Sequence, residues 1–308
     1  MEIRSGGTRS RVQRDRPQAP SATLAASPSP SASLAAASGR RNAVDSPVDS
    51  LGPFQQFFAT ASVPCPYVPG RAERKLIVEL TGRPAPAFYN ELSRAGFRRS
   101  HRFAYRPACR SCTACVPVRI AVERFADTRS TRRVRNLNAG VNAGARAGAN
   151  GGPLAGLFLA PRATAEQFEL FAAYQRSRHR DSDMAAMSYA DYRGMVEDSA
   201  VRTAIVELRD RAGALAAVSL IDRLDDGISA VYSFFDPAQG RRSLGTWSIL
   251  WLVEECRREG LPYVYLGYWI EGSKKMDYKG RFLPQQRLAP SGWLRIEASG
   301  EVPSEPQE

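Results

Sequence analysis

Ile228-Ser229-Ala230-Val231-Tyr232-Ser233-Phe234-Phe235 and, further on, Tyr263-Val264-Tyr265-Leu266-Gly267-Tyr268-Trp269-Ile270 are the two apolar runs between which the fold is decided. Both have a strand's length and are rich in aromatic and β-branched residues. Between them lie a polar loop at 236–245 and an apolar helix carrying Trp247, Leu250, Trp251 and Val253, which Gly260 stops. Working backwards, 203–208 and 214–223 also read as strands. The Asp- and Gly-bearing segments 210–213 and 225–227 supply hairpin turns to join them. Earlier still, Thr164 with Gln167 three residues on is a capping box. It starts a helix over 164–178 with Phe168, Phe171 and Ala172 on one face, and a second helix is expected over 188–197.

The order is therefore helix, helix, three antiparallel strands, helix, strand. It resembles the GNAT-type acyltransferase architecture, in which the last strand splays from its neighbour to admit an acyl donor. The predicted class is α/β (α+β), with a GNAT-like domain over 154–297 behind a smaller cysteine-containing domain at 51–137. In that smaller domain, 74–80, 97–105 and 116–122 read as strands. Residues 84–95 read as a short helix, with Phe88 and Leu92 inward and Gly96 as its stop. The Gly-, Ala- and Asn-rich stretch 138–153 reads as a linker. Residues 1–50 contain 10 Ser, 9 Ala and no aromatic, too little apolar surface to offset chain entropy, and are expected to be a disordered tail, as are 298–308. The Arg- and Ser-rich start superficially resembles a transit peptide, but without periodic apolar residues it reads as an untargeted tail.

The net charge of +12 is unevenly placed. Residues 51–135 hold 16 Lys and Arg against 5 acids, whereas 136–308 are nearly balanced, at 20 against 22. A block of that kind is the electrostatic footprint of a polyanion, nucleic acid first; the plainer alternative is a solvated arginine face. Arg98, Arg99 and Arg102 in one basic strand, and Arg132 and Arg133 beyond it, are its candidates. The chain has 39 Arg and only 4 Lys, yet Lys274, Lys275 and Lys279 fall within six residues. Lysine is a compact charge whose pKa shifts on burial, so this cluster is singled out. No run approaches the roughly 18 apolar residues of a membrane span. Walker, HExxH and Ser-His-Asp patterns are missing, which removes the common nucleotidase, zinc-protease and hydrolase readings.

Cys109-x2-Cys112-x2-Cys115, with Cys65 to close the set, has metal-ligand spacing. Four thiolates suit structural zinc and equally an iron–sulfur cluster, and a free-thiol role is the alternative. No organic cofactor is expected. Cys256, alone in the apolar helix, reads as core. Arg241, Arg242, Gly245 and Thr246 sit where a loop enters a helix, a natural anion site, unless the loop is merely polar. His179, with Asp181 or Asp183 beside it, is a candidate base, or a helix-end histidine complementing the dipole. Asp236 is the second catalytic candidate.

The aromatic strand with Lys274-Lys275-Met276-Asp277-Tyr278-Lys279 and Phe282-Leu283-Pro284 carries a family resemblance. So do Cys65-Pro66-Tyr67-Val68-Pro69-Gly70, Gly96-Phe97-Arg98-Arg99-Ser100, Tyr105-Arg106-Pro107, Cys115-Val116-Pro117-Val118-Arg119, and Tyr232-Ser233-Phe234-Phe235-Asp236-Pro237 with Ser243-Leu244-Gly245-Thr246. Over about 53–295 the chain resembles the arginyl-tRNA–protein transferase family, and within it the bacterial aspartate/glutamate leucyltransferases. The resemblance implies a cytoplasmic enzyme that moves leucine from leucyl-tRNA to the α-amine of proteins beginning with Asp or Glu. The product would enter N-degron degradation. The same-family alternative is arginyl transfer. A coenzyme A-dependent N-acetyltransferase and an inactive RNA-binding module are rivals of other classes. On this reading Arg98, Arg99, Arg102, Arg132 and Arg133 hold tRNA. Lys274 and Lys275 take the acceptor's acidic side chain, and Tyr265, Tyr268 and Trp269 line the acyl cleft or pack as core.

Overall fold

The computed structural model describes residues 56–82, 84–139, 153–180 and 182–297. The tails expected at 1–50 and 298–308, and all but the ends of the expected linker, lie outside the described residues. In chain order β1 (Phe57–Ala59) precedes a two-strand ladder of β2 (Val63–Pro64) and β3 (Ala72–Glu73), then β4 (Lys75–Glu79) and α1 (Ala85–Arg94). β5 (Arg98–Ser100) and β6 (Phe103–Pro107) complete a four-stranded sheet of order β1-β4-β6-β5. β7 (Val116–Ala121), α2 (Arg129–Asn138), β8 (Ala155–Leu159), α3 (Ala165–Arg178) and α4 (Tyr189–Glu197) come next. β9 (Thr203–Arg209), β10 (Leu215–Leu224), β11 (Gly227–Phe235), α5 (Leu244–Glu259) and β12 (Tyr263–Trp269) follow the order read above. β13 (Gln285–Ala289) and β14 (Gly292–Ile296) form a final hairpin.

The larger sheet has eight strands in the order β14-β13-β7-β12-β11-β10-β9-β8. β8 to β11 run antiparallel, and α5 crosses over so that β12 lies parallel to β11. Alternation along each strand feeds two cores, one on each face. Trp247, Leu250 and Val253 of α5 pack on Ile228, Val264 and Leu266. Phe171 of α3 and Tyr192 of α4 pack on Val218, Leu220 and Phe234. Each such side chain is worth roughly 1.5–3 kcal/mol of transfer free energy. This is the GNAT-like layering expected from the sequence.

Local chemistry sets the element ends. Thr164 and Ser188 both make full capping boxes, with Gln167 and Asp191 returning the bond. Gly260 ends α5 at φ 70°, a left-handed position that a β-carbon disfavours. The strand expected over 97–105 is instead the β5–β6 hairpin, because His101 turns the chain at φ 52°. On α1 the buried apolar residues are Ala85, Tyr89 and Leu92, with Phe88 half-buried. β7, from before the expected linker, pairs with β12 on one side and β13 on the other. A third core joins Tyr89, Leu92 and Phe97 to Leu224 and Tyr265, so the cysteine-bearing part packs directly against the large sheet.

Candidate functional site at the splay of two strands

Parallel pairing of β11 with β12 lasts three residues, from Gly227↔Tyr263 to Ser229↔Tyr265. β12 then bulges between Tyr265 and Gly267, and Gly267 takes φ +79°. Beyond the bulge the strands part, and a side chain from β5 enters the gap. Arg98 Nη2 donates to Ala230 O at 2.7 Å and Val231 O at 2.9 Å, the carbonyls that β12 leaves unpaired. A Cβ on Gly267 would lie 2.6 Å from Arg98 Cζ, so only glycine lets the guanidinium sit here. Arg98 Nη1 is buried without a hydrogen-bond partner. Among the described residues Arg98 has no carboxylate partner.

Below this gap lies Lys279, 8% exposed, in the helical turn Asp277–Arg281. Its Nζ donates to Tyr268 O at 2.9 Å and sits 3.3 Å from Met276 Sδ. Burial, and then the Arg98 guanidinium, pull its pKa down to about 7. Tyr174 and His179, at the end of α3, stand beside the same opening. Tyr174 packs edge-on against Phe235, and His179 against Tyr174. His179 has its pKa lowered by burial first, then by Lys275 and Arg178, so it is neutral at pH 7. The amino end of α5 opens nearby: Ser243 there is left-handed (φ 53°) and makes no side-chain cap, while Gly245 faces the Phe235 ring. One fixed cation, one amine that is easily deprotonated, a neutral imidazole and uncapped amides thus meet in one region.

The sequence candidates divide on this map. Lys275 is at the opening and, like Lys274, exposed, whereas Lys279 of the same cluster is the buried one. Asp236 is occupied as a cap: Oδ1 accepts from Ala238 N and Oδ2 from Gln239 Nε2, both at 2.9 Å. Arg241 is exposed, while Arg242 is buried in a bracket with Asn138 (Nε to Oδ1, 2.9 Å) and Gln239 (Nη1 to Oε1, 3.1 Å). Gly245 and Thr246 lie in the first turn of α5, half-buried. Tyr265 and Tyr268 are packed and bonded within the fold. Tyr265 OH donates to Asp226 Oδ2 and accepts from Arg119 Nη1, and Tyr268 OH bonds Gly96 O and Tyr105 O. The bulge is why both rings reach the N-terminal part despite an odd spacing. Trp269 packs in the α5 core with Arg287 over its ring at 3.8 Å. No bond joins His179 to Asp183 in the structure, and Asp181 is outside the described residues.

Of the arginines expected to face a polyanion, Arg102, Arg132 and Arg133 are exposed. Arg132 and Arg133 share an α2 face with Arg129 around a shallow groove of about 410 Å³. Arg99 is not on that surface. Its guanidinium is fully buried, with Nε 3.0 and 2.8 Å from the Asp222 oxygens, and it ties β5 to β10. Arg98 lies in the splay.

The cysteines gather in the N-terminal part but do not form a ligand set. Cys115 is pushed up to about 11 by burial, and next by Cys65, Cys109 and Cys112. That mutual repulsion places the four thiols near one another. Cys65 Sγ and Cys109 Sγ each accept a backbone amide, from Val68 and Arg74, both at 3.4 Å. Among the described residues no group of three or more His, Cys, Asp or Glu is placed to hold a metal ion. The zinc or iron–sulfur expectation is therefore not supported by this arrangement. Cys256 is core, as read. No helix of the described residues is long and apolar enough to cross a membrane.

The sequence placed Arg98 among the tRNA-holding arginines, since a basic strand gives no sign that one guanidinium turns inward to the β11 carbonyls. It also undervalued Lys279, whose signal was its place in the lysine cluster.

Family models described as arginine-tRNA-protein transferase, N terminus and C terminus, match residues 63–133 and 166–289. An aspartate/glutamate leucyltransferase of Paramagnetospirillum magneticum is 54% identical over 240 residues, 78% of this chain and 93% of that protein. One of Rhodopseudomonas palustris is 50% identical over 262 residues, covering 82% and 96%. Another, of Granulibacter bethesdensis, is 50% identical over 240 residues, covering 78% and 85%.

Proposed function

The chain belongs to the arginine-tRNA–protein transferase family, and on that premise we propose that it moves leucine from leucyl-tRNA to the α-amine of proteins beginning with Asp or Glu. The observation that carries this reading is the filled splay. In a GNAT-like fold this gap admits the donor's extended arm, which would run along β11 and use its free carbonyls. Here Arg98 already bonds Ala230 O and Val231 O, which speaks against coenzyme A as donor. An aminoacyl ester on the end of an RNA approaches from outside, and the exposed arginines of α2 suit its phosphates. Identities of 54% and 50% over 93% and 96% of two proteins named leucyltransferases support leucine as the cargo.

The chemistry asked of the site is modest. The donor is an activated ester and the nucleophile an α-amine of pKa about 7.7–8.0. The amine attacks the ester carbonyl, a C–N bond forms, and the C–O bond to the ribose breaks. One proton leaves nitrogen and one is returned to the ribose oxygen. Lys279, titrating near 7, is suited to carry that proton. The uncapped amides of α5 are suited to the negative charge that develops on the carbonyl oxygen. His179 and Lys275 border the opening, and residues 51–137 serve mainly the tRNA while 154–297 carry the transfer. The new amino-terminal leucine would hand the product to the cytoplasmic degradation machinery.

The test is transfer of radiolabelled leucine and, separately, arginine from charged tRNA to peptides beginning Asp, Glu or Lys. Leucine on the acidic peptides alone, abolished by ribonuclease, is expected. Arginine transfer would retain the family and overturn the donor. Transfer from neither, with coenzyme A bound, would overturn the reading.

A further inference from the structure

Arg98 is half-buried, its Nη1 fully so, and the fold gives its charge no counter-ion among the described residues. A guanidinium keeps its proton at any pH that leaves the protein folded. Its neighbour Lys279 can shed its own, so the standing positive charge in the splay is that of Arg98. One end of the fork, Nη2, is spent on Ala230 O and Val231 O. The other, Nη1, keeps two N–H groups with no acceptor. Leaving such donors unpaired in a low-dielectric gap is costly, and the natural relief is an anion that arrives with a ligand. The space selects which anion. The guanidinium lies against the backbone of Gly267, where even a methyl would meet it, so the approach suits a slim group at a chain end. A carboxylate on one or two methylenes meets that description; a phosphate flanked by two riboses does not.

From this arrangement we infer that Arg98 is the specificity-determining residue for the acceptor, with Nη1 receiving the side-chain carboxylate of the substrate's first residue. The inference rests on the acceptor reading above and deepens it. It relocates carboxylate recognition from the exposed Lys274 and Lys275 to the splay. It also accounts for Gly267: a side chain there would displace the guanidinium from the gap.

The experiment compares peptides differing only in their first residue, Asp against Asn and Glu against Gln, with wild type, Arg98→Lys and Arg98→Gln. Leucyl-tRNA affinity is measured alongside. Wild type should favour the acids through KM, and Arg98→Gln should lower the Asp-to-Asn ratio of kcat/KM on the order of 10- to 100-fold, the worth of a hydrogen bond to a charged group. Arg98→Lys should recover part of it, and tRNA affinity should stay within about twofold of wild type, well inside the tenfold that 1.4 kcal/mol represents. An unchanged ratio would overturn the inference, and so would lost tRNA affinity with the ratio intact, which would mark a phosphate site. If wild type used neither acid, the acceptor reading itself would fall. Because Nη2 also holds β11, a crystal structure of wild type with an Asp-initiated dipeptide supplies the answer should the variants not fold. A carboxylate oxygen on Arg98 Nη1 is expected there, and one bound at Lys274 or Lys275 instead would refute the assignment.

Discussion

Lys279→Met should remove a pH-dependent part of the folding free energy that the wild-type chain carries. In the folded protein the ammonium gives up its proton near pH 7, because it is buried and Arg98 stands nearby; in the unfolded chain the ordinary value is 10.5. Between those values the unfolded state binds the extra proton, so stability rises with pH across that window and this group adds no slope below it. The whole fall corresponds to about 5 kcal/mol at 1.36 kcal/mol per pH unit. Over the accessible part, from pH 7 to pH 9, the gain should be about 2–3 kcal/mol. Methionine has no proton to bind, and its other effects, such as losing the bond to Tyr268 O, are the same at every pH. Urea unfolding of both proteins at pH 7, 8 and 9 isolates the effect as the change in their difference. Wild type should gain on the variant by that amount as pH rises. Parallel curves would show that Lys279 titrates near its ordinary value, and would remove it as the carrier of the transferred proton.

Three other outcomes follow from the geometry. Arg99→Met, which strands Asp222 in a fully buried site, should cost about 3–5 kcal/mol in chemical denaturation; adding Asp222→Leu should recover much of this. Arg132→Ala and Arg133→Ala should each lower the slope of log tRNA affinity against log salt by about 1 in filter binding, with thermal stability nearly unchanged. Asp236→Ala should lower stability by about 1 kcal/mol, as the loss of a cap does, and reduce kcat less than tenfold; a larger loss would restore it to the catalytic candidates.

The second half of the chain was legible because its signals are local. The capping box at Thr164, the helix expected over 188–197, the hairpin turns, and the strand 263–269 all stand where periodicity and turn chemistry place them. The first half was less so. A single backbone angle at His101 turns one expected strand into two. α2, which follows β7 and carries most of the exposed arginine face, went unread because its composition is polar on nearly every side. For the site, the lysine cluster and the α5 entry were visible as residue types. What no pattern reveals is which arginine of Arg98 and Arg99 turns to Asp222 and which to bare carbonyls, since that depends on β10 and β11 more than 120 positions away.

The place of β7 in the large sheet has a consequence for how the chain is made. Ala121 emerges from the ribosome early, yet its partner Tyr263 and the β13 residues that flank it are synthesised more than 140 positions later. Pairings that distant close slowly, and until they close β7 and β11 each present an open edge. The nascent protein therefore spends the second half of its synthesis with two halves of one sheet waiting for a shared middle. Severing the chain between the two parts would leave each fragment with a missing neighbour, so they should rescue one another only when mixed.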